Sequence, residues 1–271
     1  MCRSKTKGGR RCPKTEAVHE RERQAAKRYY QRSKARKQIA ELAAKGIPAM
    51  DDMDCPTTYH AGKKLDLLSP PRRPRVGANK PPGLWSSPGR ESGGGVMTTW
   101  TDRSVIEYGE PMLDSSRLWA LDPQPGAVVI RLDTAEDIRA FGQAFDFTED
   151  TEKSRRATWE KVRALGIDGV MLTEQGVAAT STIRYGSQRD EDPRGWAAGD
   201  TLRNWDVGSV VWLRNDHLTA SDAQFGAYPL HEVTPQEQRE LDRGHRRSVP
   251  THDLGHDDIW AGYDEGRPTT V

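Results

Sequence analysis

Long apolar runs are missing from this chain, and no stretch approaches the roughly 20 apolar residues that a membrane-spanning helix needs. Cysteine is scarce: Cys2, Cys12 and Cys55 make an odd count with no regular framework, which argues against a disulfide-stapled secreted fold and for a reducing cytoplasm. The cationic N-terminus has no apolar run behind it, so no secretory signal is expected. There is no Gly-x-x-x-x-Gly-Lys-Ser/Thr loop, no Gly-x-Ser-x-Gly elbow and no His-Glu-x-x-His, so nucleotide hydrolysis, serine hydrolysis and zinc proteolysis lose their usual support. Metal ligands are poorly grouped. Cys2, Cys12 and His19 lack a second close pair, and His245, His252 and His256 lie in a polar tail. Asn and Ile are scarce and Arg outnumbers Lys, a bias that suggests a high-GC bacterium or its phage.

Only 34% of the 271 residues are hydrophobic and 30% are charged, while Gly (25) and Pro (17) favour loops. A core of roughly 150–180 residues with flexible ends is expected. The net charge of +1 conceals polarity along the chain. Residues 1–46 carry 15 Lys/Arg against 4 Asp/Glu, and the remainder carries 26 against 36. Such asymmetry suits a basic arm for a polyanion, or an arm that contacts the acidic remainder.

The pattern predicts a helix from Thr15 to Lys45, stopped by Gly46 and Pro48, and an acidic linker over Pro48–Cys55. Pro56–Ala61 reads as a strand and Lys63–Leu68 as a helical turn. Ser69–Pro82 reads as an extended loop, and Leu84–Ser87 as a strand stopped by Pro88. Gly89–Gly95 reads as a flexible loop, followed by a helix from Thr98 or Thr99 to about Tyr108. Arg117–Leu121 and Ala127–Leu132 read as two strands of a hairpin. Thr134 caps a helix that places Ile138, Phe141 and Phe145 on one face, and a second helix spans Arg155–Leu165. Ile167–Thr173 is a strand. Gln175–Asp200 is a long loop with one weak strand near Thr182–Tyr185. Ser209–Leu213 is a strong strand with Tyr228–Val233 as its candidate partner.

The fold class expected is α+β: a split, mostly antiparallel sheet with flanking short helices, a basic N-terminal helix and a disordered C-terminal tail. The domain boundaries expected are 1–50 for the leader, 55–233 for the core and 234–271 for the tail.

Three segments carry the chemistry: Thr57-Thr58-Tyr59-His60-Ala61-Gly62, Gly83-Leu84-Trp85-Ser86-Ser87-Pro88 and Ser209-Val210-Val211-Trp212-Leu213. In this order they resemble the ADP-ribosyltransferase superfamily, in its diphtheria-toxin and poly-ADP-ribose-polymerase-like branch, over residues 56–220. The resemblance implies NAD as co-substrate. It implies cofactor contacts from Tyr59, His60, Gly62, Gly83, Trp85, Ser86 and Ser87, with Trp100 as the aromatic stacked on nicotinamide. Family members carry a Glu on the late strand. Here no Glu precedes Val210-Val211-Trp212: Ser209 stands near that position and Asp206 is the nearest carboxylate. Asp206 and Ser209 are therefore the catalytic candidates.

Cleavage of nicotinamide from NAD develops positive charge on the ribose carbon. The reaction thus asks for an imidazole and hydroxyls to fix the ribose, an aromatic face for the ring and a carboxylate for the charge. The resemblance implies an effector of a phage or actinobacterium that modifies a protein or nucleic acid. The competing reading is a non-enzymatic nucleic-acid-binding protein that neutralises phosphates with residues 1–46, with Tyr29 and Tyr30 available for stacking.

Overall fold

The strongest strand candidates come together in one sheet. In the computed structural model the residues described are 13–62, 65, 67, 81, 83–108, 117–147, 152–185, 193–202, 205 and 207–226. In chain order they form α1 (Pro13–Ala43), β1 (Ala49–Met50), β2 (Thr58–Gly62), β3 (Leu84–Ser92), β4 (Gly95–Thr98) and α2 (Thr99–Tyr108). There follow β5 (Arg117–Pro123), β6 (Val129–Leu132), α3 (Ala135–Phe145), α4 (Glu152–Ala164) and β7 (Gly169–Leu172). The last elements are α5 (Glu174–Tyr185), α6 (Pro193–Leu202), β8 (Ser209–Trp212) and β9 (Leu218–Ala223). The class is α+β, with strand order β1-β6-β7-β8-β3-β2-β5-β9 and β4 added to β3. Among the described strands the β6–β7 ladder is parallel and the other ladders are antiparallel.

Register assigns the two faces. Val170 pairs with Val211 and Met171 with Val210, and side chains alternate along a strand. Val170, Leu172, Val211, Ile130 and Leu132 therefore share one face with Phe141, Trp159 and Trp205. Met171, Val210, Trp212, Val129 and Leu121 form a smaller cluster on the other. Both faces are apolar, so β7 and β8 are buried at every position.

Helix signals account for α3. Thr134 Oγ1 accepts from the Asp137 amide and Asp137 accepts from the Thr134 amide, a reciprocal cap, while Asp146 closes the far end in the left-handed region. Ile138, Phe141 and Phe145 are buried as their spacing requires. At the end of α1, the Ile47 amide bonds to the Leu42 carbonyl and the Gly46 amide to the Ala43 carbonyl. Gly46 takes φ +74°, which glycine adopts without penalty.

Several expectations are corrected. The boundary expected near residue 50 does not coincide with a packing boundary: Ala35 and Leu42 are buried in the main core and Ile39 packs on it. Pro48–Cys55 is no linker, because β1 pairs with β6 and both carboxylates beside it are buried in ion pairs. Arg32 Nη2 lies 2.8 Å from Asp52 and Arg36 Nε 3.2 Å from Asp51.

Pro88 does not end β3. The β8 ladder reaches only Ser86, so beyond it one edge of β3 tolerates a residue without an N–H. Gly93 and Gly94 both have positive φ and make the tight turn between β3 and β4, which replaces the expected loop. Strands β5 and β6 form no hairpin, since β5 pairs with β2 and β9 while β6 pairs with β1 and β7.

The stretch expected to be a loop over Gln175–Asp200 holds α5 and α6 instead. Its glycines are contact points: a methyl on Gly199 would come within 2.9 Å of Ile183, and one on Gly176 would strike the Leu132 carbonyl. Strand β9 was not anticipated, and it pairs with β5. The expected elements at Lys63–Leu68, Ser69–Pro82 and Tyr228–Val233, and the tail from residue 234, lie wholly or largely outside the described residues.

Candidate functional site

Strand β3 is bordered by β8 on one side and β2 on the other, so the three segments singled out by sequence lie side by side in the sheet. The two seams differ. Leu84, Trp85 and Ser86 pair with Trp212, Val211 and Val210. On the other side β2 pairs with β3 only at Thr58↔Pro88 and Tyr59↔Ser87, yet it stays paired with β5 from Thr58 through Gly62. Beyond Tyr59, then, β2 follows β5 and parts from β3.

His60 stands where the strands part. Its Nδ1 lies 2.7 Å from the Trp85 carbonyl oxygen. A carbonyl oxygen only accepts, so Nδ1 carries the proton and donates it. Burial lowers the His60 pKa, and the Trp85 hydrogen bond opposes that in part. The ring is therefore held neutral, with the Nε2 lone pair available to accept from a ligand hydroxyl. Gly62 keeps that nitrogen clear, since a methyl there would come within 2.7 Å of Nε2. Trp119 Nε1 donates to the Gly62 carbonyl at 3.3 Å and steadies the strand end.

Ser86 has a structural place. Its hydroxyl donates to Thr58 Oγ1 at 2.8 Å and accepts from Trp212 Nε1 at 2.9 Å, all three groups being buried. These bonds stitch β2, β3 and β8 together below the parting. Ser87 is buried in register with Tyr59. Tyr59 is half-buried, and its phenol is shifted upward by burial first and by Asp122 and Glu91 second. Gly83 is required by the close approach of β8: a side chain there would collide with Val211 and with the Trp212 carbonyl. Trp85 is half-buried; its Nε1 donates to the Pro81 carbonyl at 3.3 Å and its ring meets Trp205 edge-on at 4.6 Å.

A second gathering forms at Gly208, just before β8. Thr99 Oγ1 donates to the Gly208 carbonyl at 2.8 Å, which fixes the start of α2 and its half-buried Trp100 beside the start of β8. Glu174 Oε1 in turn accepts from the Gly208 amide at 2.7 Å. Ser209 follows, buried, its hydroxyl donating to the Val207 carbonyl at 3.0 Å. Continuing the β8–β3 register brings Ser209 level with Ser87, and Ser87 pairs with Tyr59. A row across three strands thus links the Gly208 junction to the parting at His60, over about 10 Å at the usual strand spacing.

The candidate residues therefore fall into two adjoining groups. His60, Gly62, Gly83 and Trp85 mark the parting, while Trp100 and Ser209 gather at Gly208; Tyr59 and Ser87 lie between. Asp206 lies outside the described residues. Glu174 and Gly208 escaped the sequence reading because Glu174 borders a segment taken for a loop. The available signal was Thr173, whose hydroxyl accepts from the Gly176 amide at 3.2 Å and caps α5.

Among the described residues no helix is long and apolar enough to cross a membrane. Comparison with protein families, with curated proteins and with solved structures returns no match.

Proposed function

We propose that this chain binds NAD along the seam between β2 and β3 and cleaves its nicotinamide–ribose bond, transferring ADP-ribose to a protein or nucleic-acid acceptor. The observation that carries the reading is the parting of β2 from β3 at His60, with the imidazole braced against the Trp85 carbonyl. A neutral imidazole whose Nε2 only accepts suits a ribose hydroxyl, which must donate. Trp85 and Trp100 offer aromatic faces for the nicotinamide ring.

In the step itself the C1′–N bond breaks and its electron pair leaves with nicotinamide, which becomes neutral. The acceptor nucleophile forms the new bond to C1′ and loses its proton to solvent or a base; with water as acceptor the product is free ADP-ribose. The reading puts the protein in the cytoplasm of a bacterial host, as an effector of a phage or actinobacterium.

The test is incubation with NAD labelled in its ADP-ribose part, with and without cell lysate. Nicotinamide release and label on a macromolecule are expected. Absence of both, together with no saturation-transfer NMR signal from NAD, would sink the reading.

A second reading rests on α1. Every residue from Glu16 to Tyr30 is exposed, with Tyr29 at 78% and Tyr30 at 70%. Below them Arg28, Arg32 and Arg36 border a shallow groove with Tyr29. This half of the helix suits a nucleic-acid backbone contacted without catalysis. It predicts salt-sensitive binding that disappears on deleting residues 1–30, a cut that leaves the docked half of α1 in place.

A further inference from the structure

We infer that Glu174, reaching across from the start of α5, supplies the carboxylate that β8 lacks and faces the ribose carbon as nicotinamide departs. The inference rests on the NAD reading given above. The reaction needs a fixed negative charge near C1′, because positive charge develops there when the C1′–N bond breaks. Ser209 offers none: it is uncharged, and its hydroxyl is turned onto the Val207 carbonyl.

The geometry at residue 208 shows how the gap is filled. A Cβ built on Gly208 would lie 2.9 Å from Glu174 Oε1 and 3.3 Å from Glu174 Cδ. The Glu174 carboxylate thus occupies the space into which a side chain at 208 would project. Glycine at 208 leaves room for it, and the Gly208 amide holds it by a hydrogen bond of 2.7 Å.

Helix capping does not account for this placement. Thr173 already caps α5 through the Gly176 amide. Nor does charge pairing, since among the described residues Glu174 has no ion-pair partner. The side chain is exposed, and a carboxylate accepts about four hydrogen bonds, so capacity remains after the one to Gly208. The carbonyl of the same residue accepts from Thr99, next to Trp100. Gly208 therefore anchors both the start of the helix that carries Trp100 and a negative charge, at the end of the row that leads through Ser87 and Tyr59 to the parting at His60.

Glu174→Gln isolates the charge, because the amide oxygen still accepts from Gly208. Nicotinamide release by this variant is expected to fall about 100-fold or more, with NAD affinity by tryptophan fluorescence and melting temperature close to those of wild type. In Glu174→Ala, added formate should restore part of the release by supplying the missing carboxylate, an effect that a packing role would not produce. If wild type releases nicotinamide and Glu174→Gln matches it within about threefold, the assignment is wrong and the NAD reading stands. If wild type neither binds nor cleaves NAD, both fall together. Should Glu174→Gln melt early, Glu174→Asp decides: release that survives in part supports the charge, while wild-type stability with no release overturns it.

Discussion

The two edges of β3 show how one strand serves both stability and chemistry. Toward β8 the seam is sealed: Leu84, Trp85 and Ser86 pair in sequence, every residue of β8 is buried, and apolar clusters cover both faces. Toward β2 the seam closes only at Thr58 and Tyr59, and residues from Tyr59 to Gly62 are half-buried. A sealed seam excludes water and adds stability by burying apolar area. The parted one keeps two ladder pairs among the described residues and is bridged beyond them by the His60 imidazole on the Trp85 carbonyl. The contrast arises from a small cause, namely that β2 keeps its pairing with β5 for five residues and with β3 for two.

The largest expected effect sets the two seams against each other. Trp212→Ala on the sealed side should cost about 3–5 kcal/mol in urea unfolding, because the indole is fully buried and its loss leaves a large cavity. It also removes the Nε1 donor from Ser86. His60→Ala on the parted side gives up one hydrogen bond, to the Trp85 carbonyl, and should cost about 1–2 kcal/mol while abolishing NAD binding. If His60→Ala proves as destabilising as Trp212→Ala, the parted seam is core and the contrast fails.

A sharper version uses two glycines. Gly83→Ala adds a methyl that meets Val211 and, at 2.7 Å, the Trp212 backbone carbonyl, which cannot yield without moving β8. Gly62→Ala adds a methyl whose nearest atoms belong to the His60 ring, a side chain able to turn aside. Overpacking of this kind costs about 1–3 kcal/mol. Gly83→Ala should fall at the upper end and Gly62→Ala at the lower, while only Gly62→Ala displaces Nε2 and weakens NAD binding. Equal melting temperatures for the two variants would count against the difference in rigidity.

Much of this was legible in the sequence where period and punctuation agree. The Thr134 cap and the Ile138, Phe141 and Phe145 spacing fixed α3, and the apolar runs at Gly169–Leu172 and Ser209–Trp212 fixed β7 and β8. The order of the Tyr-His, Gly-Leu-Trp and Ser-Val-Val segments led to three strands that are neighbours in the sheet. What failed shares one cause, since local signals were overridden by partners distant in sequence. Gly176 and Gly199 resemble loop residues, yet each is needed where a helix lies close to another element. Asp51 and Asp52 resemble a solvated linker until Arg32 and Arg36 arrive from α1. In the site, the hydroxyl of the candidate Ser86 is engaged by Thr58 and Trp212, partners that sequence spacing does not reveal. Glu174 stayed hidden because its relation to Gly208 spans 34 residues of sequence.

The smallest expected effect is in pH dependence, where two histidines, one at the parted seam and one beyond β8, should have opposite signs. His217 lies between β8 and β9, away from the parted seam. Its Nδ1 lies 3.1 Å from Asp168, a buried carboxylate that also accepts from the Val128 amide, with the Arg214 Nε 3.8 Å away. The hydrogen bond to Asp168 raises the His217 pKa, against the opposing effect of burial. A raised value means that the folded state holds the proton more tightly. The stabilisation is therefore fully present below the ordinary histidine range near 6.5 and fades as pH rises through the folded value. His60 is lowered by burial, so its contribution is present above that range and is lost as pH falls through its own folded value. Urea unfolding of His217→Gln and His60→Gln between about pH 5 and pH 9 separates them. His217→Gln should lose most, relative to wild type, at the acid end and least at the alkaline end. His60→Gln should lose least at the acid end, where wild type bears the cost of charging a buried ring. Parallel pH profiles for the two variants would show that the Asp168 hydrogen bond at His217 and burial at His60 do not set the protonation of these imidazoles.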